Sequence, residues 1–251
     1  MTGLLLRLAG PLQSWGDHST FSIRDTAAFP TRSALTGLIA AALGRRRGDP
    51  LDDLTGLTFT IRADRPGTMM YDFHTVGGGL PAVATVPTAE GKRRSQATAT
   101  IVSRRYYLSD AVFVAAVTGH PHLIAQIRHA LTHPVWAPYL GRRACPPEQP
   151  FLLTPPGDPV AALHDLPLNR RAPRGEDTVA VDFLTEQPPN DTGAAARVTV
   201  NDVPVDSHPH RRRFRTRQVY VTTRAMPATL CAGTGIEYLD ALTSHLRGIR
   251  P

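Results

Sequence analysis

Leu4, Leu6 and Leu8 alternate with Leu5 and Arg7. A period of two predicts an opening strand, apolar on one face and carrying Arg7 on the other. Gly10-Pro11 ends it, because proline has no N–H for a ladder and glycine tolerates a turn. Gln13, Ser14 and Trp15 follow, so this strand delivers hydrogen-bonding groups and an indole to its own end. Residues 17–30 have no period and read as a loop. FPTRSALTGLIAAALG then places Leu35, Leu38, Ile39, Ala42 and Leu43 at the i, i+3, i+4, i+7, i+8 spacing of one helix face. Thr31 or Ser33 is the expected N-cap, Gly44 the stop, and Arg45, Arg46 and Arg47 sit at the negative end of the helix dipole.

The two-residue period returns at 57–63 (LTFTIRA) and 69–76 (MMYDFHTV), predicting two more strands. From Gly77-Gly78-Gly79 to residue 100 the chain turns small and polar around Lys92, Arg93 and Arg94. A stretch this long and this poor in aliphatics reads as a flexible excursion or a protruding hairpin arm. IVSRRYYLSDAVFVAAV predicts one long returning strand, with Arg104, Arg105, Tyr106 and Tyr107 at its start and an apolar end covered on both faces. Pro121 opens a second helix on Leu123, Ile124, Ile127 and Leu131, which stops near His133-Pro134. A proline-rich turn around Gly141-Arg142-Arg143 leads to a strand at 150–154.

Strand, helix, strands, excursion, strand, helix, strand is the split βαβ plan of α+β ferredoxin-like (RRM-type) folds. The expected organisation is a core over 1–154 with an insertion at about 77–105. A small, mainly β region at 155–225 follows a PPGDP linker, with short strands at 178–184, 197–203 and 217–223. A tail at 226–251 has weak helical spacing. No internal repeat is present.

Charge sharpens this outline. The 251 residues carry 28 basic and 21 acidic side chains, a net +7, and Lys92 is the only lysine. Residues 1–150 hold a balance of +6, so the positive field belongs to the first part of the chain. A localised field of that sign attracts polyanions. Cys145 and Cys231 offer no disulfide framework or metal spacing, which fits a reducing cytoplasm. MTGLLLRLAG, with Arg7 inside a short apolar run, does not read as a signal peptide, and no segment has the roughly 20 apolar residues of a membrane span.

Enzyme motifs are scarce. Gly77-Gly78-Gly79 lacks the Gly-Lys-Ser/Thr of a phosphate loop, and neither a nucleophile elbow nor a zinc-protease motif occurs. His120-Pro121-His122 and His208-Pro209-His210 lack a third ligand nearby, so no metal is expected. A metal-independent ribonuclease needs only a base, an acid and a cation at the phosphate; His18, His74, Tyr71 and Lys92 could supply these. Binding features are denser. Basic residues recur beside aromatics and glycines in Lys92-Arg93-Arg94, Arg104-Arg105-Tyr106-Tyr107 and Tyr139-Leu140-Gly141-Arg142-Arg143. Such a mixture on a sheet suits single-stranded RNA. The first-helix N-terminus, with Thr31, Arg32 and Ser33, is a candidate anion site.

The series LRLAGPLQSWG, FPTRSALTGLIAAALG, DFHTV, RRYYLSDAVF, PYLGRRACP and FRTRQVYV, in this order, resembles the fifth CRISPR-associated family of the RAMP superfamily, in its type I-E Cascade form. The likeness runs from residue 4 to about 223 and is poor at 80–100 and 155–205. It implies a ferredoxin-like core, a β-hairpin thumb at about 77–105 and a small C-terminal β region. It implies a non-catalytic, cofactor-free subunit that holds the 5′ handle of the CRISPR RNA (crRNA), caps the backbone filament, and touches the backbone subunit CasC and the large subunit CasA. Contact with target DNA is then indirect. In other subtypes a relative cuts the RNA precursor, so a repeat endoribonuclease is the alternative, and an adaptor with a basic arm for acidic partners is a third reading. The expected RNA contacts are Gln13, Ser14, Trp15, Arg24, Arg32, Ser33, His74, Lys92, Arg93, Arg94, Arg104, Arg105, Arg142 and Arg143. Trp15 either stacks on a base or braces the floor of the site.

Overall fold

The structure is a computed structural model and describes residues 2–16, 22–88, 90–154, 157–189, 195–208 and 212–248. In chain order the elements begin β1 (Gly3–Ala9), β2 (Leu12–Gln13), β3 (Ile23–Arg24), α1 (Arg32–Ala42), β4 (Thr58–Arg65) and β5 (Thr68–Val76). They continue with β6 (Ile101–Ser109), β7 (Val112–Thr118), α2 (Pro121–Thr132), β8 (Leu152–Leu153) and α3 (Pro159–Ala162). The last are β9 (Thr178–Thr185), β10 (Ala196–Asp206), β11 (Arg213–Pro227) and α4 (Ile236–Leu246). It is a mixed α+β fold with two sheets, antiparallel except where β3 runs parallel to β6.

Seven strands in the order β10-β11-β9-β4-β7-β1-β8 form the main sheet. β1 obeys its pattern: Leu4, Leu6 and Leu8 join one core with Leu35, Ile39, Ile124 and Ile127, while Leu5 joins a second core with Leu163, Phe183 and Tyr238. Helices α1 and α2 therefore cover one face, and the 160–168 segment and α4 the other. All seven residues of β7 are buried, as a strand covered on both faces requires. The C-terminal strands make no sheet of their own. β9 pairs with β4 and extends the main sheet through β11 to β10. The tail is ordered at α4, where Tyr238 and Leu242 are buried, and Arg7 lies over the Tyr238 ring at 5.3 Å.

One pair sits where this layering is decided. Arg62 and Asp64 on β4 are both completely buried, joined at 2.7 Å from Nε and 3.1 Å from Nη2. The remaining guanidinium N–H groups donate to the carbonyls of Leu163, Leu166 and Pro167 at 2.6, 2.8 and 3.0 Å. Asn169 N–H donates to the same carboxylate at 3.0 Å. All five arginine donors are used, so the buried guanidinium is tolerated because its own hydrogen-bonding capacity is fully met.

Two expectations change. The stretch 101–117 is not one strand. It breaks at Asp110, whose φ of 57° lies in the left-handed region that aspartate tolerates. Opposite, Gly67 has φ 76°, and a Cβ there would stand 2.7 Å from the Ala111 Cβ and the Ser109 carbonyl. Both strands of the β4/β7 pair therefore bend at one level and continue as the β5/β6 ribbon. The paired strands are 68–76 and 101–109, so the ladder begins ahead of the 77–105 stretch expected to form a hairpin. Residues 77–100 form short 3-10 turns and a Pro87–Arg93 bridge instead.

Asp64→Ala leaves the Arg62 charge buried without its partner. It is expected to cost about 3–5 kcal/mol of unfolding free energy, read as a lower urea midpoint. An unchanged midpoint would remove the pair from its structural role.

Candidate nucleic-acid interface

The β5/β6 register decides what the ribbon presents. Tyr71 pairs with Tyr106, Phe73 with Arg104 and Met69 with Leu108, so these alternate residues share one face. Met69, Tyr71 and Phe73 are exposed, and the Tyr71 and Tyr106 rings lie 5.8 Å apart. The opposite face carries the pairs Asp72–Arg105, His74–Ser103 and Met70–Tyr107. β3 runs beside β6 with Arg24 level with Arg105, which brings two arginines from distant sequence onto that second face. Arg105 Nε donates to Ser103 Oγ at 3.2 Å, and His74 Nδ1 lies 3.4 Å from Asp72 Oδ2 on its own strand.

The glycine loop closes over this face. Arg142 stacks on Tyr107 at 4.6 Å, a cation–π contact. Its Nη2 donates to the carbonyls of Arg24 and Asp25 at 2.9 and 3.3 Å, while its buried Nη1 has no partner. Gly141 has φ 83°, and a Cβ there would fall 1.7 Å from the Ser14 carbonyl oxygen. Only glycine permits this backbone-on-backbone approach, which seats the loop against the end of the first strand, where Ser14 N–H donates to Leu140 at 3.1 Å. Arg143 is exposed beside it.

Gln13, Ser14 and Trp15 are placed inside, at 0%, 1% and 0% exposure. Gln13 Nε2 donates to the carbonyls of Leu8 and Ala111, at 2.8 and 2.7 Å, and its Oε1 accepts from the Trp15 indole at 3.1 Å. Ser14 Oγ donates to the Tyr106 carbonyl at 3.0 Å. These side chains tie β1 to the start of β7 and to β6, and their polar atoms are spent there. In this arrangement Trp15 braces rather than stacks.

The first-helix N-terminus is also occupied from within. Thr31 makes no side-chain cap; its hydroxyl lies 3.3 Å from that of the half-buried Ser33. Asp202 of β10 accepts the Arg32 backbone N–H at 2.6 Å and so takes the place of an external anion. The Arg32 guanidinium forks onto both Glu186 oxygens at 2.7 and 2.8 Å and donates to the Thr55 and Leu57 carbonyls. Arg217 completes the group, holding Asp202 at 2.6 and 2.8 Å and Glu186 at 3.3 Å. Two cations and two carboxylates neutralise one another, so the anion site expected there is filled by the chain itself.

At the arm's end Lys92, Arg93 and Arg94 are exposed. Arg93 donates to the Thr85 carbonyl at 2.5 Å and Arg94 to that of Thr98 at 3.4 Å, which shapes the tip. Arg104 is exposed, and its N–H is held by Ser22. His18, Pro209, His210 and Arg211 lie outside the described residues. Among the described residues no three His, Cys, Asp or Glu side chains converge to hold a metal ion. The Met69-Tyr71-Phe73 stripe was not expected as a contact surface, although its alternate spacing carries the signal. Asp202 and Glu186 had no sequence signal, because their partners lie far away in the chain.

Residues 3–220 match the model of the CRISPR-associated protein Cas5 family. The CasD subunit of the Escherichia coli (strain K12) CRISPR Cascade system is 35% identical over 239 residues, 89% of this chain and 96% of that protein. A chain solved in a CRISPR RNA-guided surveillance complex is 48% identical, covers 98% of this chain and 100% of its own, and superposes with a TM-score of 0.86. The crystal structure of a Cas protein is 28% identical, covers 93% and 99%, and gives 0.60.

Gly141→Ala is expected to displace the 139–143 loop, because both the left-handed backbone and the Ser14 carbonyl oppose a Cβ. The check is the near-UV signal of Tyr107 and Trp15 together with thermal stability; unchanged values would mean the loop tolerates the methyl.

Proposed function

The chain belongs to the Cas5 family of CRISPR-associated proteins, and from that premise we propose that it is a crRNA-binding subunit of a type I-E Cascade surveillance complex. In this reading it is non-catalytic. It holds the 5′ handle of the guide, caps the backbone filament, contacts the CasC and CasA neighbours, and meets target DNA only through the assembled complex. The observation that carries the reading is the nearly end-to-end match, at 48% identity, to a chain of an RNA-guided surveillance complex.

The geometry supports a division of labour. The run β4-β7-β1-β8, with α1 following β1 and α2 following β7, supports reading residues 3–153 as a ferredoxin-like core. The bent β5/β6 ribbon with its 77–100 tip serves as the thumb, and β9, β10 and β11 as the C-terminal β region. Arg24, Arg105, Arg142 and Arg143, with His74 at the ribbon, form the handle surface. Tyr71, Phe73 and Arg104 line the opposite face of the thumb, and Lys92, Arg93 and Arg94 its tip. Arginine neutralises phosphate and tyrosine stacks on bases, the mixture that holds single-stranded RNA. Gln13, Ser14, Trp15, Arg32 and Ser33 act beneath this surface by fixing its shape.

With about six phosphates neutralised, the log–log salt dependence of handle-RNA binding should have a slope near −4, at about −0.7 per phosphate. Fluorescence anisotropy with labelled crRNA, on the chain assembled with its partner subunits, measures it. Arg105→Ala with Arg142→Ala should weaken binding and flatten the slope. Repeat RNA incubated with stoichiometric protein in EDTA should stay intact; cleavage lost on His74→Ala would replace this reading with the endoribonuclease.

A further inference from the structure

Two arginines that the handle surface leaves unused, Arg47 just after α1 and Arg212 just before β11, belong to segments that meet at the far end of α1. The helix ends in a Schellman turn: Gly44 has φ 78°, and Arg45 N–H bonds back to the Ala40 carbonyl at 2.9 Å. Val135 N–H donates to the Ala42 carbonyl at 3.0 Å, which lays the 133–140 segment, with exposed Val135 and Trp136, against this helix end. From the other side, Ser207 Oγ donates to the Asp49 carbonyl at 2.9 Å and docks the end of β10 there. Three stretches distant in sequence therefore converge around the helix terminus.

Their charges are not alike in fate. Arg45 is committed to Asp53 and the Pro50 carbonyl. Arg47 and Arg212 are exposed and have no carboxylate partner in the described structure. Arg212 lies one residue beyond the Asp206–Arg213 pair of the β10/β11 ladder, so the Ser207–Asp49 bond brings it to the end of α1, where Arg47 is two residues from Asp49. In keeping with this, partial burial and the Arg47 charge push the Arg212 pKa down from its ordinary value, while Tyr139 acts the other way. Two unpaired like charges beside a tyrosine and an exposed tryptophan have a cost in the free chain, and an anion between them removes it. The cluster also joins the handle surface through one loop. Tyr139 and Arg142 are three residues apart, at most about 11 Å of chain, and Arg142 reaches the ribbon face at Tyr107.

We propose that Arg47, Arg212 and Tyr139 form a second phosphate-binding surface that takes single-stranded RNA continuing from the handle surface across the 139–143 loop. The inference rests on the RNA-binding reading above. Phosphodiesters sit between the two guanidiniums, the exposed Trp136 ring offers a stacking plane, and the half-buried Tyr139 presents its edge to the same surface. Single-stranded RNA is favoured over duplex DNA, because exposed rings contribute by stacking only on unpaired bases.

The test uses the chain assembled with its partner subunits and a series of crRNAs shortened stepwise from the 5′ end. Arg47→Ala with Arg212→Ala should flatten the salt slope for full-length RNA by about 1.4, two phosphates at about 0.7 each. It should not lower thermal stability, since it removes a repulsion, and it should abolish the first affinity step that the wild type shows on shortening. Arg→Lys at both positions should restore most of the slope. An unchanged slope overturns the second surface. Loss of duplex DNA binding with RNA binding intact overturns the choice of RNA. If wild-type protein shows no salt-sensitive RNA binding at all, the handle reading itself fails, a result distinct from either.

Discussion

Arg32 is the interaction on which much of the architecture rests. It opens α1, yet its donors go to Glu186 after β9 and to the carbonyls of Thr55 and Leu57 ahead of β4, while its own N–H goes to Asp202 on β10. One residue thus fastens the first helix to the strands that arrive last in the chain. Glu186 and Asp202 are mostly buried, and Arg217 supplies the second cation that balances them. A buried group of four charges is a poor source of net stability, but any three of them leave an uncompensated charge inside. The arrangement therefore selects one docking of β9–β11 on the core and opposes slipped alternatives.

The same logic appears at Arg62 on the other face. Its five donors are matched by Asp64 and three carbonyls of the 163–167 segment. The two arginines play equivalent parts, one on each side of the sheet: each gathers backbone carbonyls from an irregular segment that no regular ladder could satisfy. In a chain whose cations are nearly all arginine, the fork geometry of that side chain is used for construction as much as for binding.

Periodicity made most of the elements readable. β1, α1, β4, β5, β7 and α2 follow from local spacing, because burying one face or one stripe is a local demand. The bend at Asp110 was hidden, since strand-forming residues flank Ser109-Asp110 on both sides and the break depends on the facing Gly67. The joining of β9–β11 to the main sheet was hidden for a similar reason: edge pairing is chosen by distant partners. Among the site residues, sequence identified arginines but not their orientation. Arg24, Arg104 and Arg143 are exposed, whereas the Arg32 side chain is turned inward by Glu186, 154 positions away, and by the Thr55 and Leu57 carbonyls. Gln13 and Trp15 looked presented because they follow a strand end, but three hydrogen bonds through Gln13 keep both inside.

The bend at Gly67 and Asp110 makes the arm a cantilever. Its two strands are the same chains that run on as β4 and β7, the central strands of the main sheet, so it is clamped at its root rather than hinged there. Load applied at Lys92 or Arg93 travels along two continuous backbones into β4 and the fully buried β7. A partner that grips the tip thereby grips the core, without the tip needing to be stiff in its own right.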